Sequence, residues 1–268
     1  MAERLELGEG VRLAYEDTGG DGPVVVFVHG LGGSAFGWWA QLAACRQRGY
    51  RAIAYDQRGA GQSSKPAGPY SVETWAEDAE RLLDGLGVER AALVGHSVGC
   101  MVAEHAALRL RERIWALAVL GGALDWPDAA KPAFEQRAAL ARDGRMDEIA
   151  EAVATTGLTE RGRSEHPALH GLMLELIASN DPDAYAESAL ATGRGSMRDP
   201  DRVGCPVLAF CGAEDPVTPP SFAQAIADAV PRGEAATLDR CAHWCMLERP
   251  DAVSETVVAF LDRCAPWN

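Results

Sequence analysis

The chain has 268 residues, of which 47% are hydrophobic and 24% charged. That balance supplies a substantial core and excludes a disordered, collagen-like or coiled-coil protein. Lys and Arg number 25 against 39 Asp and Glu, a formal net charge of −14, so nucleic-acid and membrane-surface partners are disfavoured by repulsion from phosphate and anionic lipid.

Leu5–Leu7 and Val11–Glu16 flank Gly8-Glu9-Gly10, a pattern that predicts a hairpin with a glycine-bearing turn. Pro23–Val28 is a short, continuously apolar, β-branched run suited to a strand covered on both faces. It stops at His29-Gly30-Leu31-Gly32-Gly33. Comparable runs recur at Ala52–Tyr55, Ala91–Val94, Leu117–Leu120 and Val207–Phe210, with a weaker one at Ala235–Leu238.

Helical stretches lie between them. In Ser71–Leu86 the residues Val72, Trp75, Ala79, Leu82, Leu83 and Leu86 share one face; Ser71 is placed to cap the start, and Gly85 and Gly87 mark the stop. Val98–Leu110, Ser221–Val230 and Asp251–Leu261 are further helix candidates. Repeated alternation of strand and helix predicts an α/β fold with a mostly parallel sheet flanked by helices.

One stretch breaks the rhythm. Residues 125–199 contain no strand-like run, only the helical pieces Phe134–Arg142, Met146–Thr155, Ala168–Ala178 and Asp181–Thr192, the last opened by an Asp181-Pro182 cap pair. The expected organisation is therefore a core domain of residues 1–124 and 200–268, with 125–199 as a helical cap that bounds a pocket at one end of the sheet.

No apolar run approaches the roughly 20 residues needed to cross a bilayer, and Met1–Gly10 lacks the basic and hydrophobic regions of a secretory signal. Seven cysteines, an odd count, are scattered through the chain, several inside apolar runs where a thiol behaves as a small hydrophobe. These features point to a reducing, cytoplasmic setting.

The strongest chemical signal is Gly95-His96-Ser97-Val98-Gly99, a G-x-S-x-G between a strand and a helix. Small flanking residues allow the sharp turn that exposes a serine hydroxyl at a helix N-terminus. A serine needs a base, itself oriented by an acid. His243 follows the last strand-like run and Asp215 follows Val207–Phe210, which predicts a Ser97, Asp215, His243 triad at the C-terminal ends of strands. Asp125, just past Leu117–Leu120, is the rival acid; Gly212 and Pro216 framing Asp215 in a tight turn favour Asp215. The backbone N–H groups of Leu31 and Val98 are the candidate oxyanion donors.

Trp38, Trp39 and Trp126 are candidate pocket walls, and Trp38 and Trp126 are the candidate substrate contacts. Seven arginines fall in the cap region (Arg137, Arg142, Arg145, Arg161, Arg163, Arg194 and Arg198), any one of which is capable of gripping a carboxylate. His96 and His29 read as packing residues, and His166 and His170 as solvated. Cys241, His243 and Cys245 lack a second ligand pair for zinc, and no Gly-Lys-Ser/Thr or G-x-G-x-x-G accompanies the glycine turn, so neither a metal nor a nucleotide cofactor is expected.

Together His29-Gly30, Asp56-Gln-Arg-Gly-Ala-Gly-Gln-Ser63, Gly95-His-Ser-Val-Gly99, the Gly212-Ala-Glu-Asp215 turn and the late His243 resemble the α/β-hydrolase superfamily over nearly the whole chain. The cap segments Phe134–Met146 and Asp181–Tyr185, with Thr218-Pro219-Pro220, are similar to the 3-oxoadipate enol-lactonase-like branch. The resemblance implies a cofactor-free serine hydrolase acting on a small-molecule ester or lactone, and a structural role for the Asp56–Ser63 turn. Carbon–carbon bond hydrolysis or perhydrolysis on the same triad, and a non-hydrolytic ligand-binding or cyclase role, stand as alternatives.

Overall fold

A computed structural model of the chain describes residues 3–267. Eight strands form one sheet: β1 (Glu3–Gly8), β2 (Val11–Asp17), β3 (Val24–Val28), β4 (Arg51–Tyr55), β5 (Ala91–His96), β6 (Ile114–Leu120), β7 (Val207–Gly212) and β8 (Gly233–Leu238). Their spatial order is β1-β2-β4-β3-β5-β6-β7-β8. The β1–β2 hairpin is antiparallel, as is β2 against β4; every later pairing is parallel. The turn at Gly8, Glu9 and Gly10 takes φ values of 88°, 54° and 76°, which explains why two of its three residues are glycine.

The central strands β5, β6 and β7 are buried along their whole length, as a parallel strand covered on both faces must be. The helices α2 (Val72–Gly85), α3 (Val98–Leu110) and α9 (Pro220–Ala229) pack with Val26, Ile53, Leu93 and Val119 on one face. On the other face α1 (Trp39–Arg48) and α11 (Pro250–Cys264) pack with Phe27, Ala54, Val94 and Phe210. The Ser71 hydroxyl accepts the Thr74 N–H at 3.1 Å and caps α2. α1 escapes sequence reading because alanine and cysteine carry much of its buried face, while Trp39 at its start is exposed.

Between β6 and β7 lie α4 (Lys131–Arg142), α5 (Met146–Gly157), α6 (Glu160–Glu165), α7 (Pro167–Ala178) and α8 (Pro182–Arg194). Asp181 caps α8 through the Ala184 N–H at 2.9 Å, with Pro182 in the first turn. The chain leaves and re-enters the core through adjacent stems: Asp125 bridges Ser196, and the Met197 N–H donates to the Leu124 carbonyl at 2.7 Å. Among the described residues no helix is long and apolar enough to cross a membrane.

Strand order decides where a site forms. After β3 the chain adds β4 on one side, then crosses back to place β5 on the other. Loops leaving β3 and β5 therefore diverge and open a crevice at the C-terminal edge. His29–Gly33 and Ser97 occupy those two loops.

Candidate active site

Ser97 sits between β5 and α3 with φ 54° and ψ −123°. A left-handed φ on a residue with a side chain is strained, and the surroundings enforce it. A Cβ at Gly95 would collide with the Gly99 backbone, and one at Gly99 with the Val28 carbonyl. At Gly30 an added Cβ would stand 2.9 Å from the Ser97 Cβ, so the glycine turn after β3 approaches the serine directly. Val98 opens α3, where the first N–H groups have no carbonyl partner within the helix.

His243 follows β8 in the loop before α10 (Cys245–Glu248). Its Nδ1 lies 2.8 Å from Asp215 Oδ2, and both residues are buried. Asp215 stands in the turn after β7, its N–H bonded to the Gly212 carbonyl at 3.2 Å. Its Oδ1 accepts the N–H groups of Val217 and Thr218 at 2.8 and 2.9 Å, and its Oδ2 the Thr218 hydroxyl at 2.8 Å. Burial pushes the Asp215 carboxyl up, but His243 and the Thr218 hydrogen bonds outweigh it and hold the group below its usual range. Asp215 thus stays ionised against His243. Thr218, only 3.2 Å from His243 Nδ1, completes this cluster, and sequence reading passed over its hydroxyl.

The rival acid is elsewhere. The Asp125 side chain is 62% exposed, accepts its neighbour's Trp126 N–H and lies 3.8 Å from Lys131. It is a stem residue of the inserted helices.

His96 backs the histidine. Its Nε2 is 2.9 Å from the His243 carbonyl oxygen, its ring 4.9 Å from the His243 ring and 5.0 Å from Trp244. Burial, then the neighbouring His243, lower its pKa to about 3. The ring is neutral, so Nε2 carries the hydrogen that the carbonyl accepts. His29 also stays neutral through burial. Its Nε2 accepts the Gln57 N–H at 3.0 Å, which leaves Nδ1 to donate to the Gly30 carbonyl at 2.8 Å. Asp56 takes the N–H groups of Ala35 and Gln62, both at 2.7 Å. The Asp56–Ser63 turn is thus a brace for the glycine loop. From the opposite side Asn180, at the end of α7, donates to the Gly32 carbonyl at 3.1 Å, a contact no sequence signal announced.

A cavity of about 200 Å³ joins these elements, lined by Leu31, Ser97 and His243 from the core and by residues of α4 and α5 from the insertion. Trp126 is in its wall, 5.1 Å from the Phe134 ring. The expectation for Trp38 is corrected: it is fully buried against Phe27, ring centroids 5.1 Å apart, away from the cavity. It ends the turn of 3₁₀ helix that leads into α1, so it fills the core beneath that helix. Trp39 is half-exposed on the surface of α1.

Of the seven arginines, Arg137 alone lines the cavity. Arg142, Arg145, Arg161 and Arg198 pair with Glu187, Glu148, Glu165 and Glu73. Arg163 donates to carbonyls of Thr155 and Leu158, and Arg194 is exposed.

Residues 23–159 match the alpha/beta hydrolase fold family, slightly more than half of the chain. The chain belongs to the α/β-hydrolase family. Its relatives sharpen the comparison. The 3-oxoadipate enol-lactonase 2 of Acinetobacter baylyi is 29% identical over 249 residues, 92% of each chain. An enol-lactonase from Burkholderia xenovorans LB400 superposes with a TM-score of 0.88 at 28% identity, over 95% of this chain and 98% of that one. A thermophilic esterase from Thermogutta terrifontis gives 0.91 at 26%, over 98% and 99%. For this α/β-hydrolase the comparisons support hydrolase activity and a likeness to the enol-lactonase branch.

Proposed function

We propose that the protein is a cofactor-free serine hydrolase that opens a carboxylic ester or lactone through an acyl-enzyme on Ser97. The observation that carries this reading is the buried Asp215–His243 contact of 2.8 Å in a loop that shares a cavity with the strained Ser97 turn. Asp215 engages His243 Nδ1, so Nε2 is the nitrogen left to act as base.

In this mechanism the Ser97 oxygen attacks the carbonyl carbon while His243 Nε2 removes the hydroxyl proton. Negative charge collects on the former carbonyl oxygen, which the N–H groups of Leu31 and Val98 receive. The carbon–oxygen bond to the leaving group then breaks, and His243 returns the proton to that oxygen. A water deprotonated by His243 attacks the acyl carbon, the Ser97 ester bond breaks, and Ser97 recovers its proton. From a lactone both fragments remain one hydroxy acid, or its keto tautomer where the lactone is an enol ester.

Residues 125–199 form the cap in this reading, with Trp126 and Phe134 as the apolar wall for a small-molecule substrate. The proposed setting is the cytoplasm, supported by seven cysteines that are all free thiols, six of them buried.

The test is intact-mass labelling with a fluorophosphonate, the adduct mapped by peptide, on wild type and Ser97→Ala. One adduct on Ser97 that disappears in the variant is expected. A folded wild-type protein that takes up no label would overturn the acyl-enzyme mechanism.

A further inference from the structure

Another buried carboxylate stands behind the histidine loop and takes no part in the chemistry above. Glu248 ends α10, five residues after His243, and is 9% exposed. It accepts hydrogen bonds from two separate parts of the chain. Oε2 takes the Ala242 N–H at 2.8 Å. Oε1 takes the Thr159 N–H at 3.0 Å and also the Thr159 hydroxyl. Thr159 is itself the N-cap of α6, its oxygen accepting the Gly162 N–H at 2.8 Å. A Cβ on Gly162 would collide with Glu248 Oε1, so only glycine lets α6 approach the carboxylate this closely.

A second tie runs parallel to the first. The Trp244 N–H donates to the Gly157 carbonyl at 2.9 Å. A Cβ at Gly157 would stand 2.5 Å from the Trp244 indole. Both neighbours of His243 are therefore tied to the α5–α6 junction, Trp244 directly through Gly157 and Ala242 through Glu248 and Thr159, while His96 holds the His243 carbonyl. The same junction carries the cavity wall, since Val153, Thr156 and Gly157 of α5 line it beside His243.

We propose that Glu248 is a positioning residue that fastens the inserted helices to the histidine loop, so that His243 and the α5 wall of the cavity form one rigid unit. This rests on the reading of His243 as the base. Three donors converge on the two oxygens of Glu248, a demand for acceptors that a carboxylate meets. Glutamine would set an amide N–H against another donor and leave a buried group unpaired. Released from this strut, the loop would carry His243 out of line with the Ser97 hydroxyl without changing what the cavity binds.

The experiment compares wild type, Glu248→Gln, Thr159→Val and Thr159→Ser by fluorophosphonate labelling rate and by kcat and KM on a p-nitrophenyl ester, all below the melting temperature of each. Hydrogen exchange is followed in the peptides spanning 157–163 and 241–247. In Glu248→Gln and Thr159→Val, labelling rate and kcat are expected to fall by about 10- to 100-fold, as for a displaced catalytic group. KM should stay within about twofold, exchange should rise in both peptides together, and Thr159→Ser should behave as wild type. Should Glu248→Gln fail to fold, Thr159→Val carries the comparison. Wild-type labelling rates in the folded variants, or exchange rising in 157–163 alone, would overturn the strut while leaving the acyl-enzyme reading intact. Absence of Ser97 labelling in wild type would instead overturn that reading and this proposal with it.

Discussion

Ser97 and Asp215 illustrate two ways in which surroundings determine what a single residue does. At Ser97 a positive φ, which costs about 1–3 kcal/mol, is held by glycines on either side whose replacement would force backbone into backbone. At Asp215 the carboxyl is buried yet remains an acceptor for four contacts, three from hydrogen bonds of Val217 and Thr218 and one from His243. Asp215→Asn should leave the fold intact and lower kcat by about 10⁴-fold, because an amide no longer holds the imidazole in the required tautomer. Asp125→Asn should leave kcat near wild type, since that side chain belongs to a stem of the insertion. Steady-state kinetics on the pair checks the assignment; the reverse pattern would move the acid to Asp125. The residue types and their chain order were legible in the sequence alone. Thr218 was not, because a threonine in a turn has no signature until its hydroxyl is seen on Asp215.

At the scale of elements, periodicity located the strands to within a few residues, and the two capped helices α2 and α8 began where their cap residues predicted. Three helices were missed, for physical reasons. α1 buries much of its contact through small side chains, and α6 and α10 have only six and four residues, too short for any periodic pattern. α4 carries a functional consequence. It turns Phe134 and Arg137 toward the cavity while Arg142, near its end, pairs with Glu187. Arg137 has no carboxylate partner among the described residues; its guanidinium lies 6.0 Å from the Phe134 ring centre. A guanidinium with no carboxylate partner in a small, partly apolar cavity favours a substrate with a carboxylate. Arg137→Leu is expected to raise KM for carboxylate-bearing esters by about 10- to 100-fold, the equivalent of about 1.5–3 kcal/mol for a hydrogen bond to a charged group. Neutral esters should be nearly unaffected; equal losses on both series would remove Arg137 from substrate recognition.

For the molecule as a whole, the attachment of the insertion to the core is as informative as the site. The returning stem is bonded to α3 through Glu104, which is 1% exposed and accepts the N–H groups of Arg198 and Asp199, both at 3.2 Å. Burial, only partly offset by those hydrogen bonds, pushes the Glu104 carboxyl up to about 7. A folded-state value raised above the ordinary 4.5 means that the native state holds the proton more tightly than the unfolded chain. The stabilisation from the neutral form is complete below about pH 4.5 and is lost as pH rises through about 7. Glu104→Gln keeps an acceptor and cannot ionise. Its stability relative to wild type should therefore climb across that window, by at most about 3 kcal/mol, and then level off. Denaturant unfolding of both proteins at several pH values measures the difference; a flat difference would show that Glu104 ionises without penalty where it stands.

The α/β class, the helical interruption near residues 125–199 and the Ser97, Asp215, His243 order were all present in the sequence. Each depends on local periodicity, turn chemistry or position relative to a strand end. The positions of Trp38 and Trp126 were not, since two tryptophans look alike until packing sends one beneath α1 and the other to the cavity wall. The same holds for Arg137 among seven arginines and for Glu248 clasping Thr159 from 89 residues away. Contacts between residues so far apart along the chain leave no short-range pattern. Only the tertiary structure, by bringing the inserted helices onto the histidine loop, decides which side chains share the site.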